Sequence, residues 1–482
     1  MIWVKGTVPM VDPVVVGAGP NGLAAAVTLA QHGLKVSVLE ASADIGGGTR
    51  TSELTAPGVL HDHCSAVHPM GIGSPFLSGL DLEGHGLTWR WPQIDLAHPL
   101  DDGSAGVMAH SIEDTAAGLG VDGPAWTKLF GPLASGFDDL VEDLMQPVAH
   151  LPRHPVQLAR FGVHALQPAT VIARRFKTDQ ARALFGGTAA HAMYPLGRPM
   201  GAAVGVTLTA ACHRFGWPVA QGGSRAITDA LASVLTDLGG TIKTDEYVGS
   251  LADLPSCDLV MLDLAPSAVA DIAGDALPPR VRRAYRRWRH GPGVFKLDLA
   301  IDGDVPWTNE ACRRAGTVHL GGTYEEIAAA ELAVARGQMP DQPFVLLSQQ
   351  YLADPTRSAG SINPLWAYAH VPHGYTGDAT EAILAQLERF APGLRQQIVG
   401  QHTRSTAELE AYNPNYIGGD ILTGQNTPPQ MVMRPRVGLN PYSTAIPGVY
   451  ICSAATPPGA GVHGMCGHNA ARAALRALAA QR

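Results

Sequence analysis

The feature that most constrains this sequence is a glycine-rich turn within its first 22 residues. The apolar run 14–16 leads directly into Gly17, Gly19 and Gly22, which have the spacing GxGxxG, and an alanine-rich stretch follows. A strand, a glycine turn and a helix in this order open the βαβ unit that binds dinucleotides. Gly17 permits a tight turn, Gly19 leaves room for a pyrophosphate, and Gly22 lets the helix pack closely on the strand. The motif therefore predicts a doubly wound α/β domain.

A second strand is predicted at residues 35–40, and it ends with an acidic residue. Glu40 follows Gly19 by 21 residues, where a carboxylate that binds the adenosine ribose is expected. Between them, residues 22–31 predict a helix, and Gly33 is in place to cap its C-terminus. This combination is more specific than the glycine spacing alone, for which an ordinary glycine turn is the alternative.

A second glycine-rich block lies near the C-terminus. Residues 449–452 predict a strand, and Gly459, Gly461 and Gly464 follow with the same GxGxxG spacing. The sequence stops about where the acidic residue would be needed, so this block is a poor second dinucleotide site. We expect it to return to the first nucleotide, which gives one dinucleotide in total.

Composition and charge restrict the class of protein. A net charge of −8 and a pI of about 6.2 argue against a general nucleic-acid binder. The six cysteines are scattered without a CxxC pair, so neither a metal site nor a redox dithiol is predicted. Residues 1–10 contain no long apolar segment of the secretory type, and we predict a cytoplasmic protein.

Two basic runs leave a peripheral membrane contact open. Six arginines fall within residues 280–289, and residues 151–182 contain six basic residues against one acidic residue, Asp179. A basic amphipathic helix can lie on an anionic membrane surface. The alternative is a solvated helix face, or pairing with the acidic residues elsewhere in the chain.

Five segments carry a family resemblance. They read VVVGAGPNGLAAA, VLEASADIGGGTRT, PGVLHDHCSAVHP, GGSRAITDAL and VYICSAATPPGAGVHGMCGHNAA, and they span almost the whole chain. Together they resemble the FAD-dependent oxidoreductases of the phytoene desaturase-like group, within the amine oxidase superfamily. The resemblance implies FAD as the cofactor and hydride transfer to flavin N5 from a small apolar organic substrate. Oxygen or a quinone is the expected acceptor.

Two other functions stay open. A flavin amine oxidase needs an aromatic cage for the amine, and only 6% of the residues are aromatic. A flavin-binding scaffold without turnover is the third interpretation, because the resemblance covers the cofactor motifs better than the catalytic ones. The substrate, the oligomeric state and any covalent attachment of FAD are not predicted.

The resemblance also implies a set of cofactor contacts. The pyrophosphate is expected to contact Gly17, Gly19, Pro20, Asn21 and Gly22, and the ribose is expected to contact Glu40 and Ala41. The flavin is expected to lie beside Gly47, Gly48, Thr49 and Arg50, and the adenine beside Val248. The ribityl chain and the flavin ring are expected to lie along Ser453, Gly461, Val462, His463 and Gly464.

Lys296 is the sharpest catalytic candidate. In the predicted strand 294–301, Lys296 and Asp298 share one face, opposite Leu297 and Leu299. Two charges on a core strand need partners or a wet cavity. Flavin amine oxidases have a similar strand, whose lysine reaches flavin N5 through a water, so the resemblance implies a role in hydride transfer or oxygen reaction. A structural ion pair is the alternative.

Histidines supply the other catalytic candidates. His63 stands in a cluster with His61 and His68, which predicts either a polar wall of the active site or plain packing, with no metal. His463 lies in the C-terminal block, where a role near the ring competes with backbone capping. His370 shares a strand face with Trp366, which predicts an aromatic cavity wall or core packing.

These observations predict a two-domain α/β fold. The first domain is a Rossmann-type FAD-binding domain of the glutathione-reductase-like kind, and the second is a discontinuous α+β substrate domain built on a mixed or antiparallel sheet. In the second domain, residues 96–219 have helix-like amphipathic patterns, and strands are predicted at 294–301, 317–320, 344–349 and 366–371. The FAD-binding domain is predicted at 10–95, 220–290 and 415–482, and the substrate domain at 96–219 and 291–414.

Overall fold

The computed structural model describes residues 12–480, so the prediction for residues 1–10 lies outside it. The helices are α1 Pro20–Ala30, α2 Pro69–Ile72, α3 Ile112–Gly118, α4 Gly123–Ser135, α5 Phe137–Leu144, α6 Pro155–Ala165, α7 Ala169–Ala173, α8 Asp179–Ala190, α9 Ala203–Phe215, α10 Arg225–Asp237, α11 Pro266–Ala273, α12 Pro279–Arg286, α13 Tyr324–Ala335, α14 Thr380–Phe390, α15 Thr406–Tyr412, α16 Pro428–Val432 and α17 Met465–Ala480. None of the helices in residues 12–480 is both long and apolar enough to cross a membrane.

The strands form two large sheets and two short pairs. They are β1 Val14–Val16, β2 Ser37–Leu39, β3 Thr51–Glu53, β4 Leu60–Asp62, β5 Trp89–Arg90, β6 Ile94–Pro99, β7 Ala105–Met108, β8 Val219–Ala220, β9 Thr241–Lys243, β10 Val260–Leu262, β11 Gly293–Asp302, β12 Ala315–Leu320, β13 Val345–Ser348, β14 Ile362–Val371, β15 Ile398–Arg404 and β16 Val449–Ile451.

The first sheet is parallel and has the order β16-β10-β1-β2-β9. Helix α1 begins at Pro20, whose fixed φ and missing N–H suit the first helical position. This helix packs with α10 and α17, while Val269 and Tyr285 of α11 and α12 pack with side chains of β1, β10 and β16. Helices therefore cover both faces, as a parallel sheet requires. The sheet confirms the predicted Rossmann-type fold.

The second sheet has seven strands in the order β15-β11-β14-β13-β12-β6-β7. Its neighbours are antiparallel except β12 and β6, which run parallel. Leu387 and Phe390 of α14 pack with its buried apolar side chains. The sheet is therefore mixed, as predicted, and the predicted strands 294–301, 317–320, 344–349 and 366–371 all belong to it.

Three strands of this sheet were not predicted: β6, β7 and β15. Strand β6 contains Asp95 and His98, which break the apolar pattern, yet both are buried. Asp95 accepts the backbone N–H of Trp217 at 2.7 Å, and His98 Nε2 lies 2.8 Å from the carbonyl of Gly322. The expectation of a mainly helical segment from residue 96 is wrong as far as residue 108, because tertiary partners satisfy these polar groups.

A buried ion pair links segments that lie far apart in the sequence. Arg357 donates to Asp62 at 2.8 Å and to Asp354 at 2.9 Å, and all three side chains are buried. Asp62 ends β4, while Arg357 lies between β13 and β14.

The division into domains stays a prediction. Strand β6 crosses the predicted boundary between residues 95 and 96.

Candidate active site

A cavity of about 570 Å³ opens where β1, β2 and β10 end. Ligands of open α/β sheets bind in this place, outside the carboxyl ends of the strands. Fourteen of the seventeen predicted cofactor residues line the cavity. They are Gly17, Gly19, Pro20, Asn21, Glu40, Ala41, Gly47, Gly48, Thr49, Arg50, Val248, Ser453, Gly461 and Val462.

The first glycine turn has the close backbone contacts that the sequence predicts. Gly17 has φ +100°, and a Cβ on Gly22 would lie only 2.0 Å from the carbonyl oxygen of Gly17. A Cβ on Gly47 would lie 3.1 Å from Gly19 Cα, so two backbone segments meet at the cavity. Gly22 itself does not line the cavity, and its place is the contact between α1 and β1.

Glu40 stands at the carboxyl end of β2 and is buried. Its Oε2 accepts the backbone N–H of Ala18 at 2.8 Å, and its Oε1 accepts that of Ser42 at 3.0 Å. Arg50 lies 3.4 Å from the same carboxylate. The carboxylate is therefore fixed on the cavity wall, with lone pairs left to accept ribose hydroxyls.

Asp263 is a site residue that the sequence reasoning missed. It follows β10, lines the cavity, and accepts the backbone N–H of Gly22 at 2.8 Å. Burial raises the pKa of its carboxyl to about 7; the hydrogen bond from Gly22 opposes this rise and the charge of Glu40 adds to it. No local motif marks Asp263, because only the pairing of β10 with β1 brings it to the glycine turn.

Arg434 is a second residue that was missed. Its side chain lines the cavity and is buried, yet its Nε and Nη2 have no hydrogen-bond partner within residues 12–480. Asn21 Oδ1 and Ser453 Oγ are buried without a partner as well. Buried polar groups of this kind are rare in folded proteins unless a ligand or water satisfies them. The local sequence around Arg434 contains no motif that predicts this role.

These features fit FAD. The glycine turn at the N-terminus of α1 suits a pyrophosphate, Glu40 suits a ribose, and Arg434 and Ser453 offer donors to the oxygen atoms of a bound group. The hydroxyl of Tyr412 donates to the carbonyl of Gly47 at 2.6 Å and holds the second glycine loop. Residues 413–416 line the same cavity.

The end of the C-terminal block lies behind the wall. His463 and Gly464 do not line the cavity. The Nδ1 of His463 accepts the backbone N–H of Met465 at 3.1 Å, and Ser74 Oγ donates to its carbonyl at 2.6 Å. Burial lowers the pKa of His463 to about 4, so its ring is neutral near pH 7. The observed contacts are those of backbone capping, and the catalytic role of His463 stays a prediction.

Lys296 also lies one layer behind the cavity. Its ammonium pairs with Asp298, and both side chains are buried. Burial alone would raise the pKa of Asp298, but Lys296 and the nearby His402 and His61 lower it well below its usual range. The Nζ lies 5.8 Å from the ring centroid of Trp366, which lines the cavity. The structure thus contains the ion pair, and the catalytic role stays a prediction.

The three clustered histidines have separate partners. His61 lies 3.5 Å from Asp298, His63 contacts Ser52 Oγ at 2.7 Å, and His68 contacts Ser224 Oγ at 2.8 Å. Only His68 lines the cavity. Burial and the positive charge of Arg404 lower the pKa of His63 to about 3. No group of side chains within residues 12–480 is arranged to hold a metal ion.

The other side of the cavity is formed by the seven-stranded sheet and the helices above it. Thr317, Leu346, Trp366 and Tyr368 of β12, β13 and β14 line it, and we name these four residues the sheet wall. The other lining residues on this side are His191, Val204, Leu208 and Trp217. His370 shares the strand face but not the cavity, because its ring binds Glu331 at 2.6 Å.

Known proteins share this architecture. Residues 15–75 match the NAD(P)-binding Rossmann-like domain. The rat protein named pyridine nucleotide-disulfide oxidoreductase domain-containing protein 2 is 23% identical over 98% of this chain and 94% of its own length. A neurosporene-forming phytoene desaturase of Rhodobacter capsulatus is 22% identical over 53% of this chain and 52% of its own length.

Solved structures have the same fold. An oxidoreductase from Methanosarcina mazei superimposes with a TM-score of 0.63 and 16% identity, over 96% of this chain and all of that one. Putrescine oxidase, solved with putrescine bound, gives a TM-score of 0.59 and 17% identity, over 98% and 99% of the two chains.

The fold and the cavity define a dinucleotide-dependent oxidoreductase. The chain is an oxidoreductase enzyme, and it is similar to proteins of the phytoene desaturase and amine oxidase superfamily. The predictions of a phytoene desaturase-like group, of this fold class and of FAD as the cofactor are confirmed.

Proposed function

We propose that this protein oxidises or desaturates an apolar organic substrate. The observation that carries the proposal is the continuity of the cavity, which runs from the glycine loops to the sheet wall. Bound FAD would supply the hydride-accepting centre, N5, and oxygen or a quinone would be the final acceptor of the electrons.

The chain contributes orientation and a dry environment. Leu208 of α9 lies on one side of the cavity and Leu346 of β13 on the sheet wall. Trp366 and Tyr368 meet edge to face, with ring centroids 5.0 Å apart. Apolar and aromatic walls bind an apolar skeleton through burial and exclude water from the reacting carbon.

Amine oxidation is the second candidate, favoured by the superposition with putrescine oxidase. The arrangement of charge weighs against a protonated amine. The acidic residues that line the cavity within residues 12–480 are Glu40, Glu246 and Asp263, and all three follow strands of the parallel sheet. An ammonium ion at the sheet wall would therefore lack a counter-charge.

The experiment begins with the absorbance spectrum of the purified protein and release of the flavin by acid, which together identify the cofactor and its attachment. Anaerobic mixing with apolar alcohols, alkenes and alkanes then follows the bleaching of the flavin. Bleaching by an alcohol or a hydrocarbon supports the proposal. Bleaching by amines alone, with release of hydrogen peroxide in air, would select the second candidate, and colourless protein that takes up no FAD would contradict both.

We also propose that the protein contacts an anionic membrane through residues 148–177, which we name the 148–177 surface. Six large apolar residues and five basic ones are exposed there. They are Val148, Leu151, Val156, Val163, Leu166 and Val171, with Arg153, Arg160, Arg174, Arg175 and Lys177. One of these basic residues, Arg153, pairs with Glu142. In the other basic run, Arg282 and Arg286 pair with Asp275 and Asp271.

A further inference from the structure

Three polar groups on the substrate side of the cavity have no partner. Trp217 Nε1, Thr317 Oγ1 and Trp366 Nε1 are buried without a hydrogen bond within residues 12–480, and all three residues line the cavity. An unsatisfied buried donor costs about 1–3 kcal/mol. Three of them around one cavity indicate that a ligand supplies the missing partner.

The strand register aligns Thr317 and Trp366 across the sheet, in one row of paired residues on neighbouring strands. Thr317 pairs with Ser348, and Ser348 pairs with Trp366, so the row crosses β12, β13 and β14. Trp217 reaches the same region through His191, whose ring it meets edge to face at 5.6 Å. The unpartnered groups therefore lie on one side of the cavity.

His191 adds a neutral polar group. It directly follows α8 and lines the cavity. Its Nε2 lies 2.9 Å from Nε2 of His319, which is two residues from Thr317 on β12 and therefore on the same face of the sheet. Burial and the nearby His370 lower the pKa of His191 to about 3. Its imidazole is therefore uncharged near pH 7, and it offers hydrogen bonding without charge.

The charges on this side are already compensated. Lys296, behind Trp366, is bound by Asp298. The acidic lining residues belong to the nucleotide side, as described above. Arg434 also lines the cavity, but in the FAD-loaded protein we expect the cofactor to bind it. Neither an ammonium ion nor a carboxylate would then meet an opposite charge on this side, and burying an unpaired charge is far more costly than burying a hydroxyl.

We propose that Trp217, Thr317, Trp366 and His191 form a subsite for an uncharged oxygen atom, a hydroxyl or a carbonyl, on an otherwise apolar substrate. The inference rests on the proposed function and specifies its substrate class. Indole N–H groups only donate, so the ligand atom must carry a lone pair. Threonine and neutral histidine donate or accept, so the subsite takes an alcohol and its ketone alike.

Calorimetric titration of the anaerobic FAD-loaded protein tests this with one skeleton and five ligands. They are phenylcyclohexane, 4-phenylcyclohexanol, 4-phenylcyclohexanone, 4-phenylcyclohexylamine and 4-phenylcyclohexanecarboxylic acid. We expect the alcohol and the ketone to bind about five- to tenfold more tightly than the hydrocarbon. The amine and the acid should bind more weakly than the alcohol and the ketone.

Thr317→Val should remove much of the ketone's preference over the hydrocarbon. Thr209→Val is the matched control, since Thr209 is a buried threonine whose hydroxyl also lacks a partner but does not line the cavity. Trp366→Phe gives a second readout if Thr317→Val fails to fold. Equal binding of hydrocarbon and ketone, tightest binding of amine or acid, or equal behaviour of the two threonine variants would overturn the subsite.

The subsite and the proposed function can fail separately. The titration measures binding alone, whereas the proposed function is measured by bleaching of the flavin. A protein that prefers the ketone but is reduced by amines only would retain the subsite and lose the proposed function. A protein that is reduced by apolar alcohols but does not bind oxygenated ligands more tightly would retain the proposed function and lose the subsite.

Discussion

Gly22 donates its backbone N–H to Asp263 Oδ2 at 2.8 Å, so a half-buried carboxyl lies at the start of α1 beside the glycine turn. A Cβ added to Gly19 would lie 3.0 Å from the same carboxyl oxygen. A pyrophosphate at this turn brings two negative charges towards a group whose pKa is about 7. Protonation of Asp263 and binding of the cofactor are therefore expected to be linked.

Replacing Asp263 with Asn should strengthen FAD binding above pH 7 and change the pH dependence of stability. The native pKa of about 7 lies above the ordinary value of 3.8, so between these values the native state binds more protons than the unfolded state. The free energy of unfolding of the apoprotein should therefore fall as pH rises through this window, by up to about 1.4 kcal/mol per pH unit. Asp263→Asn removes this contribution while its amide oxygen still accepts the N–H of Gly22.

Urea unfolding and FAD titration from pH 4 to pH 8 measure both effects. Asp81→Asn is the control, since Asp81 also accepts a glycine N–H, from Gly84 at 3.1 Å, but on the surface. If Asp263→Asn and the wild type show the same pH profile, the linkage is contradicted.

Gly22→Ala should abolish stable folding of the glycine turn, because its Cβ would lie 2.0 Å from a backbone oxygen that cannot move aside. We expect a loss of at least about 3 kcal/mol, the upper range for overpacking, and loss of FAD binding. Gly33→Ala is the matched control. Gly33 has φ +81°, but no atom lies within 4 Å of its added Cβ, so only a modest backbone strain follows. Chemical denaturation measures the free energy of unfolding of both variants. Equal stability of Gly22→Ala and Gly33→Ala would contradict the packing role of Gly22.

The glycine turn and Glu40 could be predicted because the residues that form them lie within one short βαβ unit. Asp263 and Arg434 could not, since pairing between distant segments brings them to the turn. The subsite is a similar case: Trp217, Thr317 and Trp366 meet only through the strand register and the helices above it. Strand β6 was missed for the same reason, because Trp217 and Gly322 satisfy its polar groups from outside the strand.

Arg434→Met should weaken FAD binding and stabilise the apoprotein. The guanidinium is buried with two unpartnered nitrogens, so its removal relieves an unsatisfied charge when no cofactor is bound. In the loaded protein the same change removes charged hydrogen bonds, each worth about 1.5–3 kcal/mol, so FAD should bind at least about tenfold more weakly.

Arg357→Met is the matched control for Arg434→Met. Arg357 is equally buried but is paired with Asp62 and Asp354. Its loss leaves buried carboxylates unpaired and should cost about 3–5 kcal/mol without cofactor. The two arginine variants should thus change the free energy of unfolding of the apoprotein in opposite directions. Destabilisation of the apoprotein by Arg434→Met would show that Arg434 has a partner in the protein itself.

Lys296→Met distinguishes a structural role of the Lys296–Asp298 ion pair from a catalytic role of Lys296. Because Asp298 holds the ammonium behind Trp366, we expect a loss of about 3–5 kcal/mol in stability from the unpaired carboxylate. The rates of flavin reduction and reoxidation in the remaining folded protein should be unchanged. The double variant Lys296→Met/Asp298→Asn should recover part of the lost stability. Acid–base catalysis contributes about 10²–10⁴-fold, so a rate loss of that size would support the catalytic role.

Flotation with anionic vesicles tests the 148–177 surface. Val156 and Val163 lie seven residues apart on α6, with Arg160 between them, so they share its exposed face. An apolar stripe with a basic neighbour lies on a membrane through burial of apolar area and attraction to anionic lipid. We therefore expect the wild type to float with phosphatidylserine-containing vesicles, and less so at high salt, which screens the attraction.

Val156→Asp/Val163→Asp should keep the protein in the bottom fraction. Val399→Asp is the control, since Val399 is also an exposed valine but lies on β15. The variants should retain FAD, which the flavin absorbance reports in each fraction. Wild-type protein that stays wholly in the bottom fraction with anionic lipid would rule out the membrane contact, and equal flotation of all three proteins would place the contact outside α6.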